Sequence, residues 1–129
     1  MNNSRKISTR IAEISIDEDD IILIKMLDAI DVDEFDILDL NLIVRHLSNN
    51  KPSLKLVDSR NDWSISPKAK QVAVNETSLN KTKARAIVVS NKLKSGVLSF
   101  IKKFESKKYP QKYFTDIDEA RKWLLTFKL

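Results

Sequence analysis

A chain of 129 residues without a cysteine can bury a single hydrophobic core, and it can hold no disulfide framework, thiolate nucleophile or Cys-ligated metal. Its one glycine excludes the glycine-rich turns by which dinucleotide folds and phosphate loops bring backbone against phosphate. The net charge of +5 conceals an imbalance: residues 1–64 carry 8 Lys/Arg against 13 Asp/Glu, and residues 65–129 carry 15 against 5.

Met1 to Lys6 is polar and lacks the apolar stretch of a signal peptide, so residues 1–9 read as a flexible N-terminus. The apolar run Ile21 to Ile24 is far too short to span a bilayer. A soluble, cytoplasmic protein without membrane insertion is the expectation. Arg10 to Ile16 and Ile21 to Leu27 read as two strands joined by the polar turn Asp17-Glu18-Asp19-Asp20, an N-terminal hairpin. Ile37 to Leu47 reads as a helix with Phe35, Leu38 and Leu42, joined by Val44 and Leu47, on its apolar face. Acids gather at its start, where the helix dipole favours them, and Asn49-Asn50 then Pro52 stop it.

Leu54 to Val57 is a short strand ending in the polar loop Asp58-Ser59-Arg60-Asn61-Asp62. Ser66 as cap and Pro67 in the first turn open a second helix with Ala69, Val72 and Ala73 as its stripe. Ala84 to Val89 is nearly continuous in apolar character, as expected of a strand covered on both faces at the centre of a sheet. Lys92 to Phe104 carries Leu93, Val97, Phe100, Ile101 and Phe104 on one helical face, with Gly96 inside it at a cost of about 1 kcal/mol relative to Ala. Asp116 and Glu119 have capping-box spacing and open a last helix whose Ala120, Trp123, Leu124 and Phe127 face the core.

Chemistry-bearing constellations are sparse. His46 is the only histidine, and no motif supplies it with a nucleophile and an orienting acid. Asp28, Asp31, Asp33, Asp36 and Asp39 lack the central glycine and terminal Glu of a calcium loop, and helix-start electrostatics accounts for much of the cluster. The basic half offers Lys68, Lys70, Lys81, Lys83, Lys102, Lys103, Lys107 and Lys108 as phosphate contacts, but they are scattered without interleaved aromatics, so nucleic acid is not the expected partner. No cofactor, metal or catalytic residue is expected.

The ending of the chain carries a family resemblance. Ala86-Ile87-Val88-Val89-Ser90, the helix with Phe100 and Phe104, Tyr109-Pro110, Lys112-Tyr113-Phe114-Thr115-Asp116, Glu119-Ala120 and Lys122-Trp123-Leu124 resemble small bacterial proteins of the SpoIIAA-like type in the STAS superfamily. The likeness runs from about Ile11 to Leu125, with the chain as one such domain. It implies an α/β fold: a single-layer, mostly parallel sheet of four or five strands with an N-terminal antiparallel hairpin, a short strand near Lys112 to Phe114 and about four helices.

The resemblance further implies a non-enzymatic regulatory or protein-interaction module. In such domains a serine within an Asp-Ser-Ser/Thr-Gly pattern after the third strand is phosphorylated by a partner kinase. Asp58 and Ser59 match this pattern, making Ser59 the phosphorylation candidate, while Arg60 stands where the second hydroxyl belongs and no glycine follows. The expected partner-binding loop is Asp58, Ser59, Arg60, Asn61 and Asp62, with an unidentified protein or a second copy of the chain as partner. A likeness of some members to CRAL-TRIO lipid-transfer domains implies the alternative of an apolar, lipid-like ligand. Against that stands a hydrophobic content of 42%, no more than one filled core requires, so a sizeable cavity is not implied.

Overall fold

The computed structural model describes residues 5–76, 81–90 and 109–128. In chain order the elements are β1 (Arg5–Ser8), β2 (Ala12–Ile16), β3 (Ile21–Met26), β4 (Ile30–Val32), α1 (Glu34–Leu47), β5 (Ser53–Asp58), β6 (Trp63–Ile65), α2 (Pro67–Glu76), β7 (Thr82–Val88), β8 (Gln111–Phe114) and α3 (Ile117–Leu125). Six strands form one sheet in the order β1-β2-β3-β5-β7-β8, and β4 pairs with β6 in a separate two-stranded ribbon. The hairpin side is antiparallel, and β3 onwards is parallel.

Strand alternation divides the core between the two faces of this sheet. Ile14, Ile22, Ile24 and Ile87 point to the face covered by α1 and α2, where Val44, Leu47, Ala69 and Ala73 meet them. Ile21, Leu54, Leu56 and Val88 point to the other face, where Ala120 and Leu124 of α3 are fully enclosed. Ala84 and Ala86 on β7 have no exposed surface, and their small side chains let α3 lie close to the strand. Trp123 completes this layer between Phe114, tilted against it at 5.8 Å, and Phe127, edge-on at 4.9 Å between ring centroids.

The predicted hairpin, the strand at Leu54 to Val57, the helix opened by Ser66 and Pro67, the short strand near Tyr113 and the terminal helix are all present. Three particulars differ. Residues 5–8, read as flexible, form β1, an edge strand held to β2 by main-chain pairing and by a Lys6–Glu13 contact of 2.7 Å. With β1 the main sheet has six strands rather than four or five, and β7 lies inside it without being central. The described residues contain three helices; the fourth predicted helix, Lys92 to Phe104 with Gly96, lies outside them.

The third difference is the rotation of α1. Phe35 is 67% exposed, Leu42 61% and Leu38 39%, whereas Ile37, Val44 and Leu47 are buried. The helix carries two apolar stripes, and the one at 37, 40, 44 and 47 turns inward. Its N-terminus decides between them. Asp33 caps the helix and accepts from the Asp36 N–H at 2.9 Å, while the Asp36 carboxylate accepts from the Asp33 N–H at 2.8 Å, a reciprocal capping box. Asp36 is also gripped by the Arg10 guanidinium. That ion pair turns Asp36 and its neighbour Ile37 toward the body of the protein, leaving the Phe35 stripe in solvent.

Candidate functional site

The loop Asp58 to Asp62 leaves the carboxyl end of β5, where open α/β sheets present their ligand sites. It is fastened on several sides. The Ser59 N–H donates to Val88 O at 2.9 Å, Asn61 Nδ2 to Met26 O at 2.9 Å, and the Asp62 N–H to Asp28 Oδ1 at 3.0 Å. Asp58 is buried, and Arg60 returns to it with a two-pronged contact, Nε to Oδ1 at 2.9 Å and Nη2 to Oδ2 at 2.8 Å. Burial alone would push the Asp58 carboxyl up; the Arg60 guanidinium outweighs it and holds the group below the usual carboxylate range. Asp58 and Arg60 are thus committed to each other. Ser59 points the opposite way, into the protein, at 1% exposure.

Ser59 opens onto a cavity of about 160 Å³ between the sheet and the α1/α2 layer. Its walls are mostly aliphatic, with Ile24, Val57 and Ile87 on the sheet side and Ile37 and Val44 on the α1 side. At the carboxyl end of the strands, the Ser59 hydroxyl and the Trp63 indole N–H are enclosed without a hydrogen-bond partner among the described residues. Toward the amino end, the register aligns Lys55 with Arg85 and Arg85 with Gln111 across three parallel strands. Lys55 and Arg85 both line the cavity.

Lys55 is 5% exposed. Its ammonium donates to Thr82 Oγ1 at 2.7 Å and to Lys81 O at 3.3 Å. Burial pushes it down to about 8, and the like charge of Arg85 adds to the shift. Arg85 donates from Nε to Gln111 Oε1 at 2.8 Å and lies 5.4 Å from the centre of the Tyr109 ring. Burial lowers its affinity for the proton too, against the opposing influence of Tyr109 and Tyr113.

Residues 14–128 match the family described as a domain of unknown function, DUF7793. The chain belongs to the DUF7793 family. In architecture it is similar to a crystal structure of an uncharacterised DUF3478 protein with a SpoIIAA-like fold from Shewanella loihica PV-4. The TM-score is 0.63 at 17% identity, over 96% of this chain and 95% of that one. The fold is therefore SpoIIAA-like, as the sequence resemblance implied. No curated protein matches.

In this DUF7793 chain the predicted loop and the cavity meet at one residue, Ser59. The aspartate cluster serves structure: Asp28 receives the Asp62 N–H, Asp31 receives the Ser64 hydroxyl, and Asp33 and Asp36 cap α1. His46 is exposed on α1. Lys68, Lys81 and Lys83 are exposed, Lys70 is partly buried, and Lys102, Lys103, Lys107 and Lys108 lie outside the described residues. Part of the charge imbalance is satisfied internally, because Arg121 and Lys128 pair with Asp17 and Asp19 of the β2–β3 turn.

Sequence reasoning missed Lys55, Trp63 and Arg85. The signal was there, since Lys55 interrupts Leu54-Leu56-Val57 and Arg85 interrupts Ala84-Ala86-Ile87. A cation inside a strand covered on both faces has to be buried, and buried cations need an account. Among the described residues, no helix is long and apolar enough to cross a membrane.

Proposed function

We propose that this chain is a non-enzymatic regulatory module that binds a small, largely apolar molecule in the cavity between its sheet and the α1/α2 layer. The observation that carries this reading is the pair of enclosed donors, Ser59 Oγ and Trp63 Nε1, which have no partner among the described residues and border an aliphatic cavity. Leaving such a group unpaired costs on the order of 1–3 kcal/mol, a burden that a ligand with a suitably placed acceptor removes. A cavity of comparable size lined by aliphatic side chains takes up benzene.

The test is a titration with indole or benzyl alcohol followed by two-dimensional nitrogen–proton NMR. The Trp63 indole N–H and the Ser59 amide should shift while the Trp123 indole stays fixed. Probes that perturb neither Ser59 nor Trp63 up to millimolar concentration defeat the reading.

A second reading rests on the outward stripe of α1. Phe35, Leu38 and Leu42 recur at helical spacing on the solvent side, with Asp33 and Glu34 at one end of the helix and Arg45 and His46 at the other. Two copies pairing α1 antiparallel across a two-fold axis bury both stripes and set the acidic end of each against the basic end of its mate. Three side chains a side fall well short of the roughly 800 Å² per partner of a standard stable interface, so this self-association is weak and concentration-dependent. Sedimentation equilibrium near 0.5 mM should give a mass above that of one chain for the native protein and the monomer mass for Leu42→Asp. Monomer mass in both would sink it.

A further inference from the structure

We infer that the cavity selects an amphipathic carboxylate, its acid group seated by the Lys55 ammonium at the amino end of the strands and its hydrocarbon lying over Ile24, Val57 and Ile87 toward Trp63. The inference rests on the ligand-binding reading above and adds the ligand's charge, size and orientation.

Three donors bordering this cavity look for acceptors. A protonated lysine has three N–H groups, and the described contacts of Lys55 use two, to Thr82 Oγ1 and Lys81 O. The third is left for the cavity, together with the Ser59 hydroxyl and the Trp63 indole. Arg85, aligned with Lys55 on the neighbouring strand, sets a second positive charge beside the first. No Asp or Glu is among the described lining residues. An incoming anion removes the like-charge repulsion and forms a charge-assisted hydrogen bond in a poorly solvated place, where such bonds are strongest.

Size and wall chemistry narrow the class. About 160 Å³ accommodates on the order of six to ten non-hydrogen atoms, judged from the benzene-sized occupancy of comparable cavities. From Lys55 to Ser59 is four residues of extended chain, about 13 Å, and the walls between are hydrocarbon. A single carboxylate on a short aliphatic or aromatic body matches the one-ended polarity.

The groups facing Lys55 are Arg85 from β7, the Thr82 hydroxyl and the Lys81 carbonyl, with Tyr109 and Tyr113 grouped around Arg85. Lys55, held at about 8, is the group that loses its charge as pH rises from 7 to 9. Carboxylate affinity should therefore be flat up to about pH 7.5 and fall as pH rises through the Lys55 value of about 8.

Calorimetric titration of the full chain with hexanoate and benzoate, against hexanamide and benzamide, decides the matter. At pH 7 each acid should bind at least tenfold more tightly than its amide. Lys55→Met should abolish that preference, and the acid preference of the native protein should shrink between pH 7 and pH 9. Equal binding of acid and amide by the native protein overturns the carboxylate assignment and leaves the cavity reading standing. Binding of none of the four at millimolar concentration overturns both.

Discussion

Replacing Lys55 by methionine is expected to make the unliganded protein more stable, by about 2 kcal/mol at pH 7. The amine has an ordinary value of 10.5 and is held at about 8 in the folded chain. At roughly 1.4 kcal/mol per pKa unit, keeping it charged in place costs about 3 kcal/mol relative to water. Methionine fills nearly the same volume without that charge. It forfeits the bonds to Thr82 Oγ1 and Lys81 O, worth about 1 kcal/mol together once water re-solvates their acceptors, so the desolvation effect wins.

The pH dependence follows from linkage. Between pH 8 and 10.5 the unfolded lysine still holds a proton that the folded one has released, so the native protein gains stability as pH rises through that window. The methionine variant lacks this gain, and the difference between the two should close toward pH 10. Urea unfolding at pH 7 and pH 9.5 measures both effects, and a rise in Tm of about 7 °C should accompany the first. A variant that loses more than 1 kcal/mol would mean that the ammonium is better satisfied than its surroundings indicate. A polar residue whose removal stabilises the fold is one retained for another purpose, the pattern usual at binding sites.

The second large effect concerns Ser59. Ser59→Asp should destabilise the protein by about 3 kcal/mol or more, because it puts a carboxylate at a position with 1% exposure where the present hydroxyl has no hydrogen-bond partner among the described residues. Arg60, the nearest guanidinium, is already spent on Asp58. Ser59→Ala should be neutral within 0.5 kcal/mol or slightly stabilising, since it deletes an unpaired hydroxyl of similar volume. The contrast bears on regulation. A phosphorylated Ser59 carries more charge than aspartate, so a kinase could act there only with the loop peeled from Val88, Met26 and Asp28. Thermal unfolding of both variants settles the point; an aspartate variant as stable as the native protein would show that the loop opens at little cost and would restore Ser59 as a surface switch.

What could be read from the sequence was what is local. The hairpin follows from period-2 alternation around an Asp turn, α2 from Ser66 and Pro67, and α3 from Asp116 with Ala120 and Leu124. The misjudged features depend on distant partners or on very few residues. The rotation of α1 is set by Arg10 reaching Asp36 across 26 positions. β4 and β6 are three residues each and become strands only by pairing with one another. β1 is a four-residue edge strand with polar Arg5 and Lys6, and its single apolar residue, Ile7, is too little to announce a strand. At the site, the loop Asp58 to Asp62 was placed correctly at a strand end, but which way Ser59 points depends on the Val88 carbonyl that anchors its backbone. The cavity is a product of α1, α2 and the sheet together, and no single segment announces it.

The contacts of α3 have a consequence for the order in which the protein is made. Leu124 packs in the same cluster as Ile21, and Arg121 and Lys128 hold the Asp17 and Asp19 carboxylates more than 100 positions earlier. The hairpin can form early, but among the described residues the helix that covers the Ile21 face of β3, β5 and β7 is α3, whose Leu124 leaves the ribosome late. A nascent chain at ordinary elongation rates of roughly 5–20 residues per second therefore spends several seconds with Ile21, Leu54 and Leu56 lacking the cover that α3 gives them. For that interval the chain depends on speed of synthesis or on chaperones rather than on its own packing. Any break in the chain between α3 and the hairpin turn that let α3 drift away would return it to that state.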